Sequence, residues 1–296
     1  MKKIVIITGL TASGKSGLAV EIAKKYNGEI ISADSVQIYK GLDIGSAKES
    51  KETMSVISHH LIDIKNPEET YNVGEFIEDC KEAIADIISR DKLPIIVGGT
   101  GLYVKALLEG YSLGSTANNE LREKYQNLAE MNGNEFVWNI LNELNPDIAN
   151  TVHFNNLKRV IRYIEIELSG EEKQNTKSIL TDYDVLSIGV IADREVIYNK
   201  INERVDIMIA DGLEQEVTHL KSIGITREHQ SVTSIGYREW FDYFEGKIAK
   251  QEVIDLIKQH TRNYCKRQLT FLKTIKGIEL LNKVQAKNRI EEFLND

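Results

Sequence analysis

Two cysteines, Cys80 and Cys265, in 296 residues exclude a disulfide framework, and their separation offers no metal-ligand spacing. No apolar run approaches the length that spans a bilayer. The run that follows Lys2 and Lys3 is too short for a secretory leader and passes straight into a glycine-rich loop. Positive charge is not in excess: the net charge is −8 and the isoelectric point is near 5.5. Nucleic-acid binding therefore requires the basic residues to be concentrated locally. There is no internal repeat and no low-complexity segment. His59 and His60 have no carboxylate or cysteine at triad or zinc spacing and read as structural. What remains is the composition of an ordinary cytoplasmic globular protein with reduced thiols. It is 42% hydrophobic and 28% charged, and long enough for one large domain or two.

The strongest positive signal lies in the first residues. Lys3-Ile4-Val5-Ile6-Ile7-Thr8 reads as a buried strand, Gly9-Leu10-Thr11-Ala12-Ser13-Gly14-Lys15-Ser16 follows, and residues 17–25 read as a helix. This is G-x-x-x-x-G-K-[ST] between a strand and a helix, the context a phosphate-binding P-loop requires. Gly9 and Gly14 permit the tight turn, and successive amide N–H groups point into the loop at the positive end of the helix. Lys15 adds a point charge for phosphate oxygens, and the Ser16 hydroxyl is a magnesium ligand of the right kind. A di- or triphosphate is the expected occupant.

Beyond this motif, residues 29–33, 60–64 and 94–97 read as further strands, with a helix over 75–90 and another after Gly98-Gly99-Thr100-Gly101. Alternating strands and helices imply an α/β fold, a P-loop-containing parallel sheet with flanking helices. Ligands of such sheets bind at the carboxyl ends of the strands, which places the P-loop, Asp34 and Thr100 along one edge. From about Tyr111 to Tyr183 the chain is polar and helical, with an entry at Gly114–Asn119 and a break at Ser169–Glu172. This reads as an all-helical insertion domain. Residues 185–191 return as a strand, followed by helices over 194–211, 213–222, 237–244 and 250–275. The expected organisation is a first core part over 1–112, the insertion over 113–183, and core completion with C-terminal helices over 184–296.

Several residues carry candidate chemistry. Asp34, just past the second strand, could hold magnesium through water or remove a proton from a nucleophile; the ordinary alternative is an aspartate capping its own turn. Thr100 could contact a reacting group, or cap a helix. Lys158, Arg159 and Arg162 lie opposite the apolar residues Leu157, Val160, Ile161 and Ile164 of one helix, a pattern that a merely solvated face also gives. Lys258, Arg262, Lys266, Arg267 and Lys273 form a longer stripe with Tyr264 and Phe271 interleaved, suited to a phosphate backbone with a stacking surface. Arg194 and Arg204 follow the last core strand, where an arginine reaching back would stabilise a leaving group; pairing with Glu203 or Asp206 is the alternative.

In order along the chain, these stretches resemble the tRNA dimethylallyltransferases, also called tRNA isopentenyltransferases. The resemblance rests on the loop with its Thr-Ala-Ser interior and on Ser32-Ala33-Asp34-Ser35-Val36-Gln37-Ile38-Tyr39-Lys40-Gly41-Leu42-Asp43-Ile44-Gly45. His59-His60-Leu61-Ile62-Asp63, Val97-Gly98-Gly99-Thr100-Gly101-Leu102-Tyr103, Gly236-Tyr237-Arg238 and Thr261-Arg262-Asn263-Tyr264-Cys265-Lys266-Arg267-Gln268 complete it. Departures include Ser46 for a usual threonine, Asn156-Leu157 for Asp-Pro, and Phe271 and Lys273 for tryptophan and arginine. The insertion also lacks the family's early prolines near Arg122.

The resemblance implies that dimethylallyl diphosphate places its pyrophosphate against Gly9, Leu10, Thr11, Ala12, Ser13, Gly14, Lys15 and Ser16. The exocyclic amine of the adenosine beside the anticodon, in the anticodon stem-loop of tRNA, attacks the allylic carbon. Asp34 would be the general base; Lys15, Arg204 and magnesium held partly by Ser16 would stabilise the departing pyrophosphate; Thr100 would contact the adenosine. Asp34, Ser35, Val36, Gln37, Thr100, Arg122, Lys158, Arg159, Arg162, Arg262, Lys266 and Arg267 would hold tRNA, and the protein would act as a monomer away from membranes. A P-loop kinase of small molecules, an isopentenyltransferase of free adenine nucleotides and an NTP-dependent switch are the competing readings. Of these, the switch lacks a clean Walker-B aspartate.

Overall fold

The structure is a computed structural model that describes residues 1–110, 118–170 and 177–296. The chain forms two compact units, Met1–Gly110 with Lys177–Asp296, and Tyr111–Thr176. Among the described residues, no helix is long and apolar enough to cross a membrane.

The first unit is built on a six-stranded sheet: β1 (Lys3–Gly9), β2 (Gly28–Ser32), β3 (His59–His60), β4 (Leu93–Gly98), β5 (Asp184–Val190) and β6 (Glu279–Leu281). The order is β3-β2-β4-β1-β5-β6 and every pairing is parallel. The central strand β1 is apolar at nearly every position because helices cover both sheet faces. Its helices are α1 (Lys15–Lys25), α2 (Lys51–Val56), α3 (Val73–Ser89), α4 (Gly101–Glu109), then α9 (Arg194–Ala210), α10 (Leu213–Ser222), α11 (Trp240–Phe244), α12 (Lys250–Leu272) and α13 (Lys283–Asn295). Against one sheet face, Leu18 and Ile22 of α1 and Ile290 and Phe293 of α13 pack on Val5, Ile7, Val97 and Ile188.

The second unit holds α5 (Asn119–Asn132), α6 (Asn134–Leu144), α7 (Pro146–Ala149) and α8 (Leu157–Ser169). Val160, Ile161 and Ile164 of α8 join Tyr125, Val137 and Leu141 in a separate core. Residues 177–183 pack with the first unit: Ser178 Oγ donates to the Leu107 carbonyl at 2.5 Å. The expected entry at Gly114–Asn119 and break at Ser169–Glu172 lie largely outside the described residues.

Three differences from the sequence pattern have plain causes. The third strand spans two residues rather than 60–64, because left-handed backbone at Leu61 (φ 60°) and Asp63 (φ 56°) ends the ladder. The short helix expected from 237 begins at Trp240, since Gly236 (φ 99°) turns the chain just before it. Strand β6 was not visible as a strand; its three residues acquire that character by pairing with Ile188, Gly189 and Val190.

Candidate functional site

The loop between β1 and α1 is shaped by its backbone. Gly9 (φ 144°) has no room for a side chain, because a Cβ there would lie 2.3 Å from the Val190 carbonyl oxygen. Ala12 (φ 60°) and Gly14 (φ 83°) are left-handed. Gly14 caps α1 with no side-chain hydrogen bond, so the first amides of that helix remain for another acceptor. Among the described residues, the buried Ser13 hydroxyl has no partner and the Ser16 hydroxyl makes no hydrogen bond. Lys15 Nζ donates to the Leu10 carbonyl at 3.3 Å. Burial pushes the Lys15 ammonium down to about 8; Asp34 opposes that shift and Arg204 adds to it.

Two chambers open from this loop. The first, about 260 Å³, is lined by Thr11, Ala12, Gly14, Lys15, Ser16 and Asp34, with Gln37, His59 and Arg204. The second, about 330 Å³, holds Ser35, Val36, Thr100 and Arg267 beside the apolar Ile201, Val205 and Met208. Thr11, Asp34, Ser46, Ala47 and Arg204 line both. A charged, phosphate-sized end thus joins a partly apolar end, and Asp34 and Arg204 stand at the junction.

Asp34 caps its own turn and also faces the chambers. The Val36 N–H donates to its Oδ1 at 2.9 Å, a turn-capping bond. Its second oxygen has no hydrogen bond among the described residues, and the residue still lines both chambers. Thr100 stands at the start of α4 but makes no side-chain cap. Instead its Oγ1 accepts from the Ser35 N–H at 3.0 Å and donates to Ser35 Oγ at 3.3 Å. Arg204 reaches the loop, donating to Thr11 Oγ1 at 3.5 Å. Burial holds its guanidinium below the ordinary value, with Glu49 opposing; neither Glu203 nor Asp206 pairs with it. Arg194 lies over the Tyr198 ring and lines neither chamber.

Gln268, buried on α12, was not among the candidates from the sequence. Its Oε1 accepts from the Thr11 N–H at 2.9 Å and its Nε2 donates to the Gly99 carbonyl at 3.1 Å. Tyr264 OH donates to the same carbonyl at 3.2 Å, and burial pushes that phenol up to about 12. One amide therefore ties the glycine-rich loop to the loop that carries Thr100. The signal was the motif Cys265-Lys266-Arg267-Gln268, but a polar residue on the inner helix face has no visible partner in sequence.

The comparisons with known proteins decide the family. The IPP transferase family profile matches residues 37–275, and an isopentenyl transferase profile matches 2–69. The chain is 46% identical to a tRNA dimethylallyltransferase of Bacillus anthracis, over 92% of this chain and 88% of that protein. It belongs to the IPP transferase family. Among solved structures, a eukaryotic dimethylallyltransferase described as acting on tRNA aligns with a TM-score of 0.81 at 30% identity, over 96% of this chain and 74% of that one. The tRNA isopentenylpyrophosphate transferase of Bacillus halodurans aligns at 0.74 and 38% identity, over 100% and 96%.

The basic residues are divided by the fold. On α12, Lys258 pairs with Asp206 and Arg262 donates to Asn202 Oδ1 at 2.7 Å, so both are held by α9. Lys266 and Arg267 are exposed, and Arg267 lies over the Tyr264 ring. In the second unit, Arg122 and Arg162 both pair with the buried carboxylate of Glu165, whereas Lys158 and Arg159 are exposed. Burial raises the Glu165 carboxyl's affinity for its proton, yet these two guanidinium groups and the Asn118 N–H hold it below the usual range.

His59 lines the first chamber, although its Nδ1 is engaged by the Ile57 carbonyl at 2.8 Å. His60 finds in the fold the carboxylate it lacked in sequence: Nε2 is 2.7 Å from Glu29 Oε2. The Glu29–His60–Asp86 group is close enough to hold a metal, but Arg90 and Lys92 already neutralise Glu29.

Proposed function

We propose that this chain transfers a dimethylallyl group from dimethylallyl diphosphate to the exocyclic amine of the adenosine beside the tRNA anticodon, releasing pyrophosphate. The observation that carries the reading is the pair of joined chambers, with an amide-rich cationic end, a partly apolar end and Asp34 between them. The names of the relatives point the same way.

In this reading the diphosphate lies against residues 9–16, with Lys15 and Arg204 facing its oxygens. The five-carbon chain extends toward Val205 and Met208. The target base leaves its stack to enter the second chamber, as in other enzymes that modify a base. The amine nitrogen attacks the allylic carbon as the carbon–oxygen bond breaks. The electron pair of that bond leaves with pyrophosphate, and the amine proton passes to Asp34. Lys15 and Arg204 offset the charge that develops on the leaving group. Thr100, held by Ser35, presents a hydroxyl edge to the base.

The Ser16 hydroxyl, which has no hydrogen bond among the described residues, and the Asp34 carboxylate line one chamber. That donor set fits magnesium, which keeps most of its waters and takes substrate phosphate oxygens. Bound there, magnesium would supply further charge neutralisation for the diphosphate. Ser35, Val36 and Gln37 stand ready to meet tRNA, with Lys266 and Arg267 on α12 and Lys158 and Arg159 on α8. Arg122, Arg162 and Arg262 would act mainly by shaping the surfaces they brace. We place the enzyme in the cytoplasm as a monomer.

The test incubates the protein with labelled dimethylallyl diphosphate, magnesium and unmodified tRNA with an adenosine-rich anticodon loop. Label is expected in tRNA, and chelation of magnesium is expected to suppress it. Phosphorylation of a small acceptor by ATP, with no label in any tRNA, would overturn the reading in favour of a kinase.

A further inference from the structure

The wall common to both chambers, Ser46 and Ala47, is held from behind by a built-in anion. Glu216 on α10 accepts three consecutive backbone N–H groups: Asp43 at 3.0 Å and Ile44 at 2.8 Å on Oε2, and Gly45 at 3.1 Å on Oε1. Tyr237 OH donates to the same Oε1 at 2.7 Å. Converging amides of this kind form an anion nest. Here the anion is the protein's own carboxylate.

The fit leaves little slack. Tyr237 is fully buried, and a Cβ on Gly45 would lie 2.5 Å from its ring, so the loop passes directly over the phenol. On the other side, Gln37 Nε2 donates to the Ser46 and Ala47 carbonyls, each at 3.3 Å. Ala47 itself is left-handed (φ 52°), a conformation that persists in a residue with a side chain only where its surroundings impose it. Glu216 lines neither chamber.

We propose that Glu216 is a positioning residue: by filling the 43–45 nest it fixes the Ser46–Ala47 wall, and so sets how tightly the cavity grips the diphosphate. This rests on the function proposed above, in which a diphosphate is the ligand of the first chamber. Glu216→Gln replaces one acceptor oxygen by an amide NH2, a donor that faces the nest's donors. Glu216→Gly removes the anion and leaves the nest open. Tyr237→Phe removes one donor and keeps the ring.

The experiment uses the full chain and measures the affinity for inorganic pyrophosphate with magnesium by calorimetry, the KM and kcat for prenyl transfer, and the melting temperature. Glu216→Gln is expected to weaken pyrophosphate and raise KM about ten-fold, as for the loss of hydrogen bonds to a charged group, with kcat little changed. Tyr237→Phe is expected to show the same pattern at a smaller size. Added acetate, but not the isosteric neutral acetamide, should restore pyrophosphate affinity to Glu216→Gly by entering the nest. Unchanged pyrophosphate affinity in Glu216→Gln and Tyr237→Phe overturns the proposal. So does weakening that follows the melting temperature and is not rescued by acetate, since that marks a scaffold role alone. If the wild type binds pyrophosphate but labels no tRNA, the transferase reading fails, while the comparison of affinities still decides the role of Glu216.

Discussion

At the scale of single residues, Asp34 joins a structural bond to a proposed chemical role. Its Oδ1 is committed to the Val36 N–H, which aims the chain of Ser35, Val36 and Gln37; in the proposed reaction its other oxygen takes the proton. Asp34→Asn keeps an acceptor for the Val36 N–H but cannot take a proton. The turn should survive while kcat falls by about 10²–10⁴, the usual contribution of a general base, with KM for the diphosphate near wild type. Steady-state prenyl transfer checks this split, and a parallel rise in KM would mean that the turn had collapsed. The position of Asp34 after a strand end was legible in sequence because strand ends mark the ligand edge of a parallel sheet. Gln268 was not legible in that way. Its partners, Thr11 and Gly99, are distant in the chain, and a glutamine on a helix announces nothing until the fold brings a free N–H and a free C=O to its two ends.

At the scale of elements, α12 separates periodicity from orientation. The spacing of Lys258, Arg262 and Lys266 fits one helical face, and that much follows from 3.6 residues per turn. Which part of the face meets solvent depends on what packs beside it. Here α9 supplies Asp206 and Asn202 to the first two cations, leaving Lys266 and Arg267 exposed. The expected outcome is graded. Lys266→Ala and Arg267→Ala should each weaken tRNA binding and lower the slope of log K against log salt by about one. Lys258→Ala should leave that slope unchanged. Filter binding across a salt series reads both, and equal slopes for all variants would show that α12 does not track the phosphate backbone. Helix α8 divides in the same manner: its apolar stripe was visible, but the buried Glu165, which pairs with both Arg122 and Arg162, was not.

At the scale of the whole molecule, a buried carboxylate ties the sheet edge together. Glu29 at the start of β2 accepts from Arg90 at the end of α3, from Lys92 before β4 and from His60 of β3. The Arg90 guanidinium, against the opposing effect of burial, holds the Glu29 carboxyl well below the ordinary carboxylate range, with Lys92 and His60 adding to it. A folded-state pKa below the unfolded one means stability present above the ordinary range and lost as pH falls through the folded value. Glu29→Gln should therefore lower stability by about 2 kcal/mol at neutral pH, through the loss of charge-assisted hydrogen bonds from Arg90, Lys92 and His60. The gap from wild type should narrow on acidification. Melting temperatures across a pH series test the sign, and a constant gap would refute it.

The order of residues alone is enough for the strand–loop–helix of residues 3–25, the parallel α/β class and the helical insertion. Each follows from local periodicity or from backbone freedom at Gly9 and Gly14. It also determined the set of residues available for the chemistry, from Lys15 and Asp34 to Arg204. The folded chain settles which of those side chains share a cavity, because Arg204 and Thr11 meet across 193 positions of chain. It decided as well that β6 is a strand, that Gln268 joins two loops, and that Glu216 fills a nest made by residues 43–45. In each case the deciding partner is a backbone group or a side chain far off in the chain, and hydrogen bonds at such separations leave no periodic trace in sequence.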